Sequence, residues 1–543
     1  MSAAPRIWPS AESEAVLPEV EHRAMAPAFD RALASHAEQV AVRDRERVVT
    51  YQQLHTEGLE LAAGLEALGA RSGDPVLTML DNHVDHVSMW AGLGVTGKVS
   101  VPVNPALVLD SLAHVLNDSQ AAVLVCERSS LPSLARVSDR LSLLRTVVVR
   151  GARAEVEETE EAEARETLGG RGLSLVEWGE LRTHGTASPQ HADAWDLHSI
   201  MYTSGSTGGP KGVLVTHAQT YTRAAIVNQY VEQRRNVSLA TLPLFHVAGQ
   251  CRGVYGPLIA GFEVVVLPRF SVSRFWDDVR RYEATTTLVF GTMATYLSRQ
   301  PAAPQDSEHG LRKVILSPTI PGAAAFAERF GVDIVTSYGS TEAGTVSTGR
   351  STTAGSIGWT HPDFEARVVD EHDLEQPDGT PGELVIRARQ PWLLSPGYLN
   401  RPQESLALLR NGWLHTGDVV RREARGELVF VDRSKEVIRR RGENISPSDL
   451  ESVADQHPAV REAVAVGVPS DVGDEDVKLA VVVKGSTFDP GDLVAFIAAR
   501  VPRFMVPRYI AVVDAIPRLP TEKVDKQALK QVAVQWDTEA ANV

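Results

Sequence analysis

Cysteine is scarce in this chain: of 543 residues only Cys126 and Cys251 are thiols. Two thiols build no disulfide framework, and such scarcity suits a reducing compartment. Long apolar runs are missing as well. No stretch approaches the ~18 to 20 consecutive apolar residues that a membrane helix needs. The first fifteen residues carry glutamates and prolines and no apolar segment, so no secretory signal is read there. A soluble, cytoplasmic protein without a membrane partner is expected. An excess of positive charge is also absent. Lys and Arg number 54 against 69 Asp and Glu, a formal net charge of −15, which argues against a nucleic-acid surface. No internal repeat appears at periods of ~20 to 50 residues, so repeat architectures are set aside.

The remaining composition, 43% hydrophobic and 23% charged, is that of an ordinary globular protein. The length exceeds what one core supports, so two or more domains are expected. Part of the negative charge lies between Glu155 and Glu166, where seven of twelve residues are glutamate. This segment reads as a solvated helix or a mobile insertion.

Helical and strand-like patterns alternate through the first part. Gln53 to Leu68 and Val84 to Leu93 have helical spacing. Pro75 to Leu80, Val99 to Val103, Ala121 to Val125, Leu144 to Val149, Glu263 to Leu267, Thr287 to Phe290 and Lys313 to Leu316 read as short buried strands. The alternation predicts parallel sheets covered by helices. From about Gly355 the period shortens, which suggests a smaller antiparallel or barrel-like unit. The chain after Arg433 is long enough for a small separate domain with a short sheet and helices. The expected fold is α/β: a large N-terminal domain over 1–434 with two α/β subdomains and a barrel-like one, then a small, mobile α+β domain over 435–543.

The most informative stretch is Tyr202-Thr-Ser-Gly-Ser-Thr-Gly-Gly-Pro-Lys-Gly212. Glycines let backbone N–H groups turn toward a ligand, the hydroxyls of Thr203, Ser204, Ser206 and Thr207 add donors, and Lys211 brings a positive charge. This is a way to hold a polyphosphate. It is not a Walker A loop, because Pro210 precedes Lys211 and Gly212 follows it, and no G-x-G-x-x-G is present. Strand-like residues on both sides place the loop between two strands. His83-x-x-His86 puts two histidines on one helix face, but no third ligand is near, so a partly exposed helix start is the expected reading over a metal site.

Further motifs follow in order: Leu242-Pro-Leu-Phe-His-Val-Ala-Gly249, Tyr338-Gly-Ser-Thr-Glu-Ala-Gly344, Trp413-Leu-His-Thr-Gly-Asp418, Val431-Asp-Arg-Ser-Lys435, Gly442-Glu-Asn-Ile-Ser-Pro447 and Leu519-Pro-Thr-Glu-Lys-Val-Asp-Lys526. With the glycine-rich loop they resemble the signatures of the adenylate-forming superfamily, from about Thr50 to Leu529. Gly442-Glu-Asn-Ile is similar to the form found in acyl- and aryl-CoA ligases.

The resemblance implies an AMP-forming acyl- or aryl-CoA synthetase. A carboxylic acid and ATP give an acyl-adenylate and pyrophosphate, and the CoA thiol then displaces AMP. Such chemistry rests on neutralising charge at the α-phosphate and aligning the attack. By resemblance, Thr203, Ser204, Gly205, Ser206, Thr207 and Lys211 hold phosphates, and Tyr338 stacks on adenine. Thr341 donates to the α-phosphate, Glu342 holds Mg2+, and Asp418 and Arg433 clamp the ribose. Lys523 bridges the carboxylate and the α-phosphate; Glu522 stands before it where the family commonly has Gly. Lys435 is the hinge of the small domain. His246 gates the acyl pocket or thiol tunnel, and Gln250 to Gly253 begin a pocket-lining helix. Phe290 to Ala294 and Ser317 to Pro321 complete its walls.

Arg439, Arg440 and Arg441 either lie near a CoA nucleotide or are plain surface charges; both readings stay open. The absence of Asp and Glu between Leu242 and Gly256 argues against an α-amino acid substrate. Other acceptors remain: a carrier-protein thiol, or the nitrite and arylamine chemistry of diazotase-like members. An inactive nucleotide-binding protein is opposed by intact Thr341, Glu342 and Lys523. The oligomeric state is monomer or homodimer, and the acid is not named by the sequence.

Overall fold

The computed structural model describes residues 17–151, 157–190, 192–203, 209–230, 235–433, 438–471, 473–485, 488–518 and 524–538; the side chains of residues 432, 433, 444 and 448 are outside the description. The chain divides into two compact units. The first comprises residues 1–105, 115–202 and 212–434, and the second 106–114, 203–211 and 435–543.

Two sheets organise the first unit. The smaller has seven strands, in the order Ser174–Glu177, Thr146–Arg150, Val123–Glu127, Pro75–Met79, Val99–Pro102, Leu197–Thr203, Lys211–Thr216. Val123–Glu127 pairs in parallel with both Pro75–Met79 and Thr146–Arg150. The strands Val123–Glu127 and Thr146–Arg150 are almost wholly buried, as expected for parallel strands covered on both faces. The helices Tyr51–Ala67 and Val84–Val95 cover it. Thr50 opens the first with a capping box: its hydroxyl accepts from Gln53 N, and the Gln53 side chain accepts from Thr50 N. The two helices approach through Gly58 and Gly92. A Cβ on Gly58 would lie 2.8 Å from the Gly92 nitrogen, so neither position has room for a side chain.

The larger sheet has thirteen strands and changes character part-way. Val40–Arg43, Glu263–Val266, Val237–Ala240, Thr286–Phe290, Lys313–Ser317 and Asp333–Ser340 pair in parallel. From Asp333–Ser340 onward the pairing is antiparallel, through Gly344–Arg350, Ser356–Thr360, Glu427–Arg433, Leu414–Arg422, Gly382–Ala388 and Phe364–Val369. The smaller antiparallel unit expected after Gly355 is thus present, and it is hydrogen-bonded in one ladder with the large sheet. The strand Asp333–Ser340 is where the pairing switches. In open α/β sheets the carboxyl ends of strands at such a switch are where ligands bind.

In the second unit the strands Val460–Pro469, Glu475–Val483, Tyr509–Val512 and Trp536–Asp537 form a sheet, with the helices Pro447–Ala454, Pro490–Ala498 and Lys526–Gln531. A hairpin, Ile438–Arg440 with Glu443–Ile445, precedes them. Arg440 is not a plain surface charge. It is 7% exposed, pairs with Asp476 at 3.1 Å and donates to the carbonyls of Phe504 and Val506. It ties the hairpin to the sheet.

Two other expectations need correction. The start of helix Val84–Val95 is buried, not partly exposed: His83 caps the helix by accepting from His86 N and pairs with Glu127 at 2.6 Å, while His86 is enclosed. Burial then pulls the His86 pKa down to about 3. The glutamate-rich segment forms the helix Glu158–Gly170, but Glu161 is not solvated. It turns inward to Arg128 at 2.5 Å and Arg165 at 2.6 Å. Among the described residues no helix is long and apolar enough to cross a membrane.

Candidate active site

The signature Tyr338 to Gly344 ends one strand and starts the next. Its sequence explains the turn. A Cβ on Gly339 would overlap the carbonyl of Gly344, and Gly344 itself takes a positive φ of 78°. The register shifts between Tyr338 and Gly339, a bulge that re-aims the strand end. Thr341 and Glu342 occupy the turn, both partly accessible.

The helix His217–Ile226 fixes this turn from behind. Gln219 Nε2 donates to the carbonyls of Thr341 at 3.2 Å and Glu342 at 2.8 Å. Arg223, one helical turn on, donates to the carbonyls of Ser340 at 2.7 Å and Thr341 at 2.9 Å. The amide of Ser395 donates to the Glu342 carbonyl at 2.8 Å. With its backbone held, the Glu342 carboxylate is oriented by Tyr398, whose phenol donates to Oε1 at 2.9 Å. Burial first, and then the charge of Glu342, raise the Tyr398 pKa and keep the phenol a donor. Gln219, Arg223 and Tyr398 were not among the sequence candidates. A signal existed for the first two: they are polar residues at i and i+4 on a helix with all ten residues buried. Tyr398 has none, since 56 residues separate it from Glu342.

Tyr338 and Asp418 meet directly. The phenol donates to Asp418 Oδ2 at 2.5 Å, and the two residues are 7% and 4% exposed. Asp418 stands opposite Arg433 in the ladder between Leu414–Arg422 and Glu427–Arg433. The backbone thus brings together the pair separated by fifteen positions in sequence. His246 lies just before the next helix, with its ring 4.5 Å from that of Phe245. That helix, Ala248–Tyr255, is a π-helix, a wider coil than its spacing suggested. Ser317 hydroxyl donates to the Ser337 carbonyl, and Thr319 hydroxyl to those of Thr353 and Ser356, so the segment after Lys313–Ser317 is tied to neighbouring strands.

Thr203 closes the strand Leu197–Thr203 and Lys211 opens Lys211–Thr216, so strands flank the stretch as expected. Both residues count with the second unit, where His114 Nε2 lies 2.8 Å from the Pro210 carbonyl. Ser204, Gly205, Ser206, Thr207, Lys435 and Lys523 lie outside the described residues, as does the Arg433 side chain. Among the described residues no group of three or more His, Cys, Asp or Glu could hold a metal ion. A carboxylate such as that of Glu342 offers the oxygen donors a hard cation prefers.

A family model described as AMP-binding enzyme matches residues 29–399, and one described as AMP-binding enzyme C-terminal domain matches 449–523. The chain belongs to the AMP-binding enzyme family. This AMP-binding enzyme, of the adenylate-forming superfamily and its acyl-CoA synthetase-like branch, resembles the crotonobetaine/carnitine–CoA ligase of Salmonella paratyphi C. The two are 31% identical over 497 residues, 89% of this chain and 93% of that protein. The ligase of the same description from Citrobacter koseri is 32% identical over 494 residues, with the same coverage. Among solved structures, the amide bond synthetase of Marinactinospora thermotolerans superposes with a TM-score of 0.78 at 25% identity, covering 93% of this chain and 99% of that one. The o-succinylbenzoate CoA synthetase of Bacillus subtilis, at 24% identity, shares the fold with a TM-score of 0.77 over 93% and 98% of the two chains.

Proposed function

We propose that this AMP-forming acid–CoA ligase joins a carboxylate oxygen of a small organic acid to the α-phosphorus of ATP, releasing pyrophosphate. The CoA sulfur then attacks the acyl carbon of the adenylate, and AMP leaves. The observation that carries the reading is the buried Tyr338–Asp418 hydrogen bond opposite Arg433, on the same sheet as the pinned Thr341–Glu342 turn. An ionised carboxylate accepts from both ribose hydroxyls more strongly than a neutral group would. With its phenol spent on Asp418, the Tyr338 ring is oriented to stack on adenine.

Thr341 donates to the α-phosphate. Glu342 is the residue that would hold Mg2+, whose chemistry is to offset negative charge on the phosphates. Tyr398 keeps the Glu342 carboxylate in one orientation. Thr203, Ser204, Gly205, Ser206, Thr207 and Lys211 hold the β- and γ-phosphates, and His246 guards the acyl or thiol path. The roles of Lys523, as the cation that bridges acid and α-phosphate, and of Lys435, as hinge, rest on sequence alone. The net charge of −15 opposes two polyanionic substrates, so these local cations must overcome the global field. The two cysteines, free and buried, fit a cytoplasmic setting.

One finding favours a second acceptor. The amide bond synthetase resembles this chain over nearly its whole length, so an amine in place of CoA is the competing reading. Pyrophosphate release is therefore measured over a panel of acids, with CoA, with amines and with neither. Acid-dependent release and a CoA thioester detected by mass are expected, and Lys523→Ala should lose release while still binding ATP. Amide formation with no thioester would replace CoA as acceptor, and no acid-dependent release at all would overturn the function.

A further inference from the structure

Two arginines, Arg223 and Arg252, bond to the Ser340–Ala343 turn or to the strands that carry it. Arg223 is 2% exposed; beyond its bonds to the Ser340 and Thr341 carbonyls, its Nε and Nη1 are buried with no hydrogen-bond partner. Arg252 projects from the π-helix toward the two strands that carry the turn. Its Nη1 donates to Ser337 Oγ at 2.9 Å, and its Nε and Nη2 to Thr345 Oγ1 at 3.3 and 3.1 Å. Among the described residues, neither guanidinium forms an ion pair. The Cys251 thiol interacts with both and is no counter-ion, because burial raises its pKa.

Burying a cation against neutral hydroxyls alone is unfavourable. Burial, and then repulsion by Arg223, pull the Arg252 pKa down to about 10, where it remains protonated at neutral pH. The charge of Glu342 acts on Arg223. Arg252 also retains some accessible surface, as does Ala248 one turn before it on the same helix, whereas Gln250, Cys251 and Val254 are enclosed. The Arg252 side chain is therefore not fully enclosed, although its guanidinium bonds to two buried hydroxyls. Ser337 lies three residues from Ser340, which is ~10 Å of strand. Thr345, the other partner, pairs with Gly339 nearer the turn, so the cation lies along the strand ends beside Thr341 and not at it.

We propose that Arg252 is a specificity-determining residue that binds a second anionic group on the acid, a carboxylate remote from the one activated. Ser337 and Thr345 hold the guanidinium fork and leave donors free for a planar, two-oxygen partner. The same cation disfavours an acid bearing a quaternary ammonium, the group a betaine carries. The inference rests on the acid-activation reading above and narrows its substrate class.

ATP–pyrophosphate exchange with matched acids tests it: hexanoate against adipate, and 3-phenylpropionate against 3-(4-carboxyphenyl)propionate. The wild type should prefer the diacid of at least one pair. Arg252→Met, which keeps the length and removes the charge, should lower the diacid-to-monoacid ratio of kcat/KM roughly ten- to a hundredfold, mostly through KM. Arg252→Lys should restore part of the ratio, and thermal melts of each variant report folding separately. Exchange that occurs but favours monoacids, or a ratio unmoved in Arg252→Met, overturns this inference and leaves acid activation standing. A ratio lost equally in Arg252→Lys and Arg252→Met, with a lowered melting temperature in both, marks a purely structural arginine and also overturns it. No exchange with any acid overturns both readings.

Discussion

Replacing Asp418 by Asn changes charge with almost no change of shape. In the structure Oδ2 accepts the Tyr338 phenol at 2.5 Å, and the residue is 4% exposed. An amide oxygen at the same place still accepts that phenol. The bond becomes neutral instead of charge-assisted, about half as strong, so stability should fall by only ~1 kcal/mol. The nucleotide suffers more. Hydrogen bonds from ribose to a charged acceptor are worth ~1.5 to 3 kcal/mol, so the ATP dissociation constant should rise roughly ten- to a hundredfold. The rate at saturating ATP should move much less, since the ribose is held alike in ground and transition states. Calorimetric titration of ATP gives the affinity, and a thermal melt gives the stability. Tyr338→Phe completes a cycle: if the phenol acts by holding Asp418, the two substitutions combine non-additively, with a coupling of ~0.5 to 3 kcal/mol. Unchanged ATP affinity in Asp418→Asn would refute the ribose assignment, and additive effects would refute the phenol's part in it.

Glu342→Gln should raise the Mg2+ concentration needed for half-maximal pyrophosphate release, because an amide is a poorer ligand for a hard cation, and Tyr398→Phe should do so more weakly; superimposable magnesium titrations would place the metal elsewhere. Lys435→Pro fixes one backbone dihedral and should spare first-turnover pyrophosphate release while abolishing thioester formation, and retention of both steps would remove the hinge. Burial holds His217 down at about 4 and His198 well below its ordinary value, so both are neutral in the folded chain. The unfolded chain binds more protons below about pH 6.5, so stability present above that pH is lost as pH falls toward 4, by up to ~1.4 kcal/mol per pH unit for each histidine. Urea midpoints measured between about pH 7 and 5 check this slope, and a flat profile would contradict it.

Local pattern was readable wherever it was repeated by local geometry. The expected strand from Pro75 is Pro75–Met79, that from Glu263 is Glu263–Val266, and the expected helix from Gln53 is Tyr51–Ala67, opened by a capping box visible as Thr50 and Gln53. The motifs located Tyr338, Asp418 and Arg433, but nothing in their spacing announced that a phenol would bond the carboxylate or that the last two would stand opposite each other. Those facts depend on the register of strands far apart in sequence. The same holds for the inward turn of Glu161, which is set by Arg128 on another element. His83 and His86 looked half-exposed because helical periodicity does not say what packs over a helix end. The π-helix at Ala248–Tyr255 escaped because its wider turn leaves a hydrophobic pattern close to that of an α-helix over so short a run. Arg252 was noticed only as part of that helix, since its bonds to Ser337 and Thr345 are a property of space rather than of sequence.

The continuous ladder of the large sheet has a consequence for how the enzyme breathes. Hydrogen bonds run without a gap from Asp333–Ser340 through Gly344–Arg350 and Ser356–Thr360 to Glu427–Arg433 and Leu414–Arg422. Tyr338 and Asp418, the proposed adenine and ribose contacts, therefore belong to one cooperative unit, and neither strand opens without stripping amide bonds from its neighbour. Occupation of the site by nucleotide stabilises that whole unit by mass action. Amide protons near Val429 and Ser356, on strands that supply none of the proposed nucleotide contacts except through Arg433, would then exchange more slowly as well, spreading the imprint of a bound ligand across the sheet.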